Sequence, residues 1–400
     1  MTDLIELLKA DNAGRDPERL TLKWALMKGN PFAFLRGTCR LFYERLPRAG
    51  VFKSAPPVWI CGDLHLENFG SYKADNRLVH FDLNDFDEAV LAPASWELVR
   101  MLTSIRIAGD ALSASREQAR ALPGAFLDSY ATALVGGKAY WIERETADGL
   151  VRSLLDGLRE RTRTAFLDGR TIIKSRRRHL KVDGRRALAA TDAQRTAVKD
   201  VLGKFARSQP EPGFYQVLDV TRRIAGTGSL GVDRYAILVE GKGSLHGNYL
   251  LDLKEAKPSS LLPRLRQDQP RWKSEAERIV TLQRRMQAVS MAFLHPVDMG
   301  GRSYVLRGLQ PAEDRVTFGR AALADGGLAH TLATMGRLVA WAQLRSSGRQ
   351  GSATADELID FGRRDKWRRR LLELSEECTA QCRKDSAAFD KALAAGAFNA

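Results

Sequence analysis

CGDLHLENFG, residues 61–70, places Asp63, His65, Glu67 and Asn68 within six consecutive positions. HFDLNDFDEA, residues 80–89, adds Asp82, Asp85, Asp87 and Glu88. Each acidic stretch follows an apolar run, Val58-Trp59-Ile60 before the first and Arg77-Leu78-Val79-His80-Phe81 through the start of the second. Both runs read as short strands that deliver the acidic residues into loops. If the two strands end near each other, Asp63 and Asn68 meet the cluster Asp82, Asp85 and Asp87. Carboxylate and amide oxygens suit a hard cation such as Mg²⁺, which takes one or two carboxylates beside phosphate oxygens. A carboxylate left off the metal is free to accept a proton from a hydroxyl nucleophile. The same residue types build Asx-turns and helix caps. That explains any one of them singly; the set as a whole points to a site.

CGDLHLEN resembles the H-G-D-x-H-x-x-N catalytic loop of aminoglycoside phosphotransferases and choline kinases, which have the protein-kinase-like fold. NDFDEAVLAPASWEL, residues 84–98, resembles their I-D-F-D/E segment and the Pro-containing helix start that follows. The resemblance implies Asp63 as catalytic base with His65 in the same loop. It implies Asn68 and Asp85 as Mg²⁺ ligands and Asp87 as an auxiliary one, with Asp82 as the alternative register. Glu97, twelve positions after Asp85, matches the acidic residue that opens the next helix. Cys61 stands where those families have His. The chain at large is similar to a bacterial family, DUF2252, grouped with kinase-like folds. PFAFLRGTCRLFY at residues 31–43, the two acidic motifs and DLKEA at residues 252–256 carry that likeness.

A second constellation lies far downstream. AGTGSLG, residues 225–231, sits between two predicted strands, and its glycines let backbone N–H groups approach phosphates. Gly226, Thr227, Gly228, Ser229 and Gly231 are the candidate cradle; a plain hairpin turn uses the same residues. LLDLKEAK, residues 250–257, ends a later strand with Lys254, placed to pair nucleotide phosphates. Kinases hold that Lys with a Glu on the following helix, and Glu277 and Glu275 are the candidates. GRSYVLRGLQP, ending near Leu309, then reads as the hinge beside a nucleotide. In ordinary kinases the Gly loop and Lys precede the catalytic loop. Here they follow it, so the order reads as a circular permutation.

The remaining texture agrees with two lobes. Residues 98–202 carry apolar residues at three- and four-residue spacing and are predicted mostly helical. From Gly213 the alternation and Gly pairs predict three antiparallel strands. A helix is expected from Ser274 to Leu294, a strand over GRSYVLRGLQP, and helices again from Gly319. The expected fold is α+β and two-lobed: residues 1–205 start a helical catalytic lobe, 206–312 form a β-rich nucleotide lobe, and 313–400 complete the helical lobe. A chain of 400 residues is long enough for two cores.

Composition narrows the partners. Hydrophobic residues make up 44%, and no apolar run is long enough to span a bilayer. The start lacks the layout of a secretory signal, so the cytosol is the expected compartment. The four cysteines have no metal-ligand spacing. A net charge of +15 favours anionic partners. KSRRRHLKVDGRR, residues 174–186, is the densest basic block, equally readable as a solvated loop or as a ligand contact. Together these features predict an ATP- and Mg²⁺-dependent phosphotransferase acting on a hydroxyl of a small molecule or protein. The alternatives are a metal-dependent phosphodiesterase or nuclease, and a catalytically silent nucleotide or RNA binder. Nucleic acid is the less favoured partner.

Overall fold

The computed structural model describes residues 3–311 and 314–398. The lobe boundary expected at 312/313 lies outside the described residues. The fold is α+β, as expected.

Four short strands carry the acidic motifs. β1 (Pro57–Ile60) pairs antiparallel with β4 (Val90–Pro93), while β2 (Phe69–Lys73) and β3 (Val79–Leu83) form a hairpin between them. β1 therefore ends just before Cys61 and β3 just before Asn84, so both acidic loops emerge side by side. Pro93 leads into the helix Ala94–Ala111, whose buried face includes Glu97, Leu98, Arg100, Met101 and Leu102.

Residues 98–202 are not continuously helical. Three short strands interrupt them: β5 (Thr171–Lys174), β6 (Arg177–Leu180) and β7 (Ala187–Ala189). The basic block thus folds as the β5–β6 hairpin and the loop after it. One of its arginines is structural: Arg178 is buried and donates to Asp168 at 2.6 Å and to the Thr171 hydroxyl at 2.8 Å.

The β-rich unit is one antiparallel sheet. β8 (Val217–Arg223), β9 (Arg234–Val239) and β10 (Tyr249–Glu255) match the three predicted strands. β11 (His295–Met299) and β12 (Arg302–Gly308) complete it in the order β11-β12-β10-β9-β8-β7. The turn before β11 occupies ground expected to be helical, and β11 itself, beyond the expected helix end at Leu294, is a strand the sequence pattern did not announce. The helix there runs only from Glu275 to Met286, because Gln287 turns out of it and donates to the Leu83 carbonyl at 2.7 Å.

Two principal apolar cores result. One joins the N-terminal helices, β1–β4, the Glu275–Met286 helix and the C-terminal helices. The other lies between the sheet and the Asp192–Ala206 helix and takes in Leu251 and Leu253 of β10. Strand alternation sends Asp252 and Lys254 to the opposite face, toward the acidic loops. Among the described residues, no helix is long and apolar enough to cross a membrane. All four cysteines are buried and free.

Candidate active site

The acidic loop after β1 is held rigidly from below. Gly62 has φ +83°, and a Cβ on it would lie 2.3 Å from the Glu88 carbonyl oxygen, so only glycine fits this turn. Tyr43 donates its hydroxyl to the Gly62 carbonyl at 2.5 Å. Glu97, fully buried, accepts from the Cys61 N–H at 3.0 Å and from the Gln343 amide at 2.7 Å. Burial pushes the Glu97 carboxyl up to about 7, against the hydrogen bonds from Gln343 and Cys61. Between its ordinary value near 4.5 and about 7, the native state keeps a proton that the unfolded chain has lost. That contribution to stability therefore falls as pH rises through this window. Relative to Glu97→Gln, the native protein is expected to lose about 3 kcal/mol between pH 4.5 and 7.5. Urea denaturation of both proteins across that range measures it; a flat difference would mean an ionised Glu97 throughout.

Asp63 meets Arg100, a fully buried residue of the Ala94–Ala111 helix. Arg100 Nε donates to Asp63 Oδ1 at 2.9 Å, and its Nη2 donates to the same oxygen and, at 2.7 Å, to the Leu35 carbonyl. Burial raises the Asp63 carboxyl above the usual aspartate range even against Arg100, making it a better base than a solvated Asp. His65 is buried and held neutral, first by burial and then by Arg36, Arg100 and Arg315. Its Nδ1 accepts from the Glu67 N–H at 3.1 Å, and its Nε2 stands 4.0 Å from Asp63.

Asn68 bridges the two acidic loops. Its Oδ1 accepts from the backbone N–H groups of Asp85 at 3.0 Å and Asn84 at 3.3 Å, and its amide donates to the Asp63 carbonyl at 3.0 Å. Both lone pairs of that oxygen are used, so Asn68 acts here as a bracket and not as an open ligand. Asp85 is the open carboxylate. Burial opposes its ionisation, but Lys254, Arg307 and Arg234 outweigh burial and hold it below the ordinary range. Among the described residues it forms no salt bridge, and its side chain accepts only one long hydrogen bond, from the Asp87 N–H at 3.5 Å. Asp87 forms an ion pair with Lys254. Asp82 is elsewhere. It lies in β3, accepts from the N–H groups of Leu83 and Ala288 at 2.8 and 3.2 Å, and faces Arg345 at 3.3 Å. The alternative register is therefore a structural carboxylate outside the cleft.

The glycine loop comes down on this pair of loops. A Cβ on Gly228 would lie 3.0 Å from the Arg36 carbonyl oxygen and 3.6 Å from Asp63 Oδ2. Gly226, Thr227, Gly228 and Ser229 line one cavity with Asp63, His65, Asn68, Asp85 and Asp87, of about 190 Å³. Among the described residues, the backbone N–H groups of Ala225, Gly226, Thr227, Gly228 and Ser229 donate to no protein acceptor. The carbonyls of Ala225, Thr227, Gly228 and Ser229 are occupied. Arg15 donates to the Gly228 and Leu230 carbonyls at 2.6 and 3.0 Å, and the buried Lys23 reaches Gly228 at 3.3 Å. Gly231 is outside the cavity, packed against Arg15. Leu309 lines a neighbouring apolar slot.

Lys254 does not pair with the following helix. Glu277 accepts from the Lys273 N–H at 2.6 Å, and Glu275 pairs with Arg278 at 2.6 Å. Arg278 takes the inward position instead, donating to the carbonyls of Asp87, Ala89 and Lys257 at 2.8, 2.6 and 2.9 Å. The helix grips the acidic loop by its backbone, and the loop's own Asp87 supplies the partner of Lys254.

Sequence reasoning missed Arg100, the loop-holding Arg15 and Lys23, and Glu88. Glu88 lines the cavity and accepts from the Ser260 N–H at 2.6 Å. Burial and the nearby Asp63 lift its carboxyl to about 7 against its bonds from Ser260 and Ser259. Only Glu88 had a local signal, as the last carboxylate of the NDFDE run.

The profile of a family described as an uncharacterized protein conserved in bacteria (DUF2252) matches residues 15–392. The chain belongs to the DUF2252 family. The match spans both acidic loops, the glycine loop and Lys254, and takes in the cavity lining apart from Asp11. No curated protein and no solved structure matches the chain.

Proposed function

We propose that this DUF2252 protein is an ATP- and Mg²⁺-dependent phosphotransferase acting on a hydroxyl, with a circularly permuted protein-kinase-like fold. One observation carries the reading: the glycine loop of residues 225–229 and Asp63 and Asp85, more than a hundred positions apart, line the same cavity. The sheet supports it. In protein kinases a Gly-rich loop covers the phosphates and the Lys stands on the third strand. Here the loop joins β8 to β9, Lys254 stands on β10, and a helix followed by β11 and β12 completes the unit. Five N–H groups in succession without a protein acceptor among the described residues, on residues that line the cavity, suit an anion cradle. The apolar slot beside it, lined by Leu180, Ile224, Ala236, Leu250 and Leu309, suits a nucleotide base.

Within this reading Asp63 accepts the hydroxyl proton, and Arg100 fixes the direction of its carboxylate. The under-coordinated Asp85 fits a Mg²⁺ ligand, with Asp87 beside it and Asn68 fixing the Asp85 backbone. The metal would neutralise phosphate charge. Phosphate arriving near Lys254 competes with Asp87 for the ammonium. That exchange would free the Asp87 carboxylate for the cation side.

The test is a thermal-shift series with ATP, GTP and Mg²⁺ beside single-stranded RNA. ATP is expected to stabilise the native protein more with Mg²⁺ than without it, and Asp85→Ala to abolish that Mg²⁺-dependent gain while remaining folded. Unchanged ATP stabilisation in folded Asp85→Ala removes the metal assignment. Stabilisation by RNA alone favours a silent binder.

A further inference from the structure

The glycine loop and Lys254 do not account for the densest positive charge in the cleft. Asp252 precedes Lys254 by two residues on β10, faces the same way, and is fully buried. Three guanidiniums converge on it from three other strands. Arg234 of β9 grips both oxygens at 2.8 and 2.7 Å. Arg223, at the end of β8, lies 2.9 Å from Oδ1. Arg307 of β12 lies 3.2 Å from Oδ2. All three arginines line the cavity that holds Asp63 and Asp85, and Arg223 and Arg234 are 8% and 7% exposed.

Asp252 is in contact with three guanidiniums, and Asp85, which Arg307 and Arg234 help to hold ionised without an ion pair, offsets only part of the remaining charge. Buried charge without a partner is costly, and a chain that keeps it usually offsets it with something else. Asp87 is taken by Lys254, and Asp85 forms no salt bridge with the cluster. Donors are also left over. Arg307 uses only Nε, so among the described residues its two terminal nitrogens have no protein acceptor. Guanidinium forks match phosphate oxygens two at a time. The unpaired N–H groups of the glycine loop lie in the same cavity, and Arg234 donates to the Ala225 carbonyl at 3.2 Å. The arginines and the cradle thus form one continuous wall.

We infer that Arg223, Arg234 and Arg307, gathered on Asp252, bind a phosphate chain, with Arg307 as its main contact. Lys254, already paired with Asp87, contributes less. That the chain belongs to a nucleotide donor rests on the proposed phosphotransferase function; the site itself requires only an oligophosphate.

Inorganic tripolyphosphate, which has no base, tests the site apart from that function. Calorimetry on the full chain without Mg²⁺ is expected to show binding that weakens with added salt. Arg307→Ala is expected to weaken it by about 10- to 100-fold, Arg307→Lys to recover part of the loss, and Lys254→Ala to cost less than Arg307→Ala. Thermal melts establish that each variant is folded. Arg307-dependent tripolyphosphate binding in a protein that transfers no phosphate would keep this site and sink the phosphotransferase reading. ATP binding without tripolyphosphate binding would do the reverse. A folded Arg307→Ala or Arg307→Gln that binds tripolyphosphate as tightly as the native protein would overturn the site.

Discussion

Asp63→Asn is expected to lower turnover on an accepted hydroxyl substrate by about 10²–10⁴-fold, the range of a positioned general base. Asn keeps the shape of the side chain and an oxygen for Arg100, but it cannot take a proton. Because the lost interaction develops in the transition state, kcat and kcat/KM should fall together while ATP affinity by calorimetry changes little. Arg100 sharpens the test. It is fully buried and has Asp63 as its carboxylate partner, so the substitution also leaves a buried charge exposed to its full desolvation cost. Stability must therefore be measured beside turnover. Loss of stability with full turnover would make Asp63 the anchor of Arg100 and nothing more. The pH profile adds a second readout. Burial raises the Asp63 carboxyl above the ordinary range, so kcat/KM should fall in acid at a pH higher than a solvated aspartate gives. Asp63→Asn should abolish that limb, not shift it.

The acidic side of the site was readable because it is local. Asp63, Asn68 and Asp85 lie within two consecutive loops, and short strands announce where each loop begins. The choice between Asp82 and Asp85 needed the end of β3. Asp82 is still in the strand, where alternation turns it toward Arg345, whereas Asp85 lies past the strand end. The partner of Lys254 was not readable. It depends on how the Glu275–Met286 helix is rotated against the acidic loop, and one turn of packing put Arg278 inward and Glu277 at the surface of the helix start. Arg100 was hidden for a similar reason: it is one arginine on the buried face of a helix, 37 positions from Asp63. The β5–β7 strands escaped because each is three or four residues long; the Arg, Leu and Ala residues of β6 and β7 suit a helix as well as a strand, and Thr171-Ile172-Ile173 of β5 is too short a run to stand out in a stretch read as helical. β7 is held by pairing with β8, and the β5–β6 hairpin by Leu180 in the cluster with Ala236 and Leu250, contacts that no window of sequence contains.

Asp252→Asn is expected to cost about 3–5 kcal/mol of stability, as when one partner of a buried charge pair is removed. Asn offers one neutral oxygen to three guanidiniums that were gathered by a full negative charge. Burial alone would keep Asp252 protonated, but Arg223, Arg234 and Arg307 hold it ionised well below the usual carboxylate range. Its contribution is then fully present above about pH 4, where the unfolded Asp is ionised too, and declines as pH falls below that value. The gap between native and Asp252→Asn in urea denaturation should be constant from pH 5 to pH 8 and shrink in stronger acid. An oligophosphate should act in the opposite direction. A ligand stabilises the state it binds according to its affinity, and the variant presents one more unmatched positive charge than the native protein. Tripolyphosphate at a fixed concentration should therefore raise the stability of Asp252→Asn by more than it raises that of the native protein. Equal stability of the two proteins without ligand would mean that water already screens the arginines. The unmatched charge, and the reason for a phosphate chain to bind there, would then be gone.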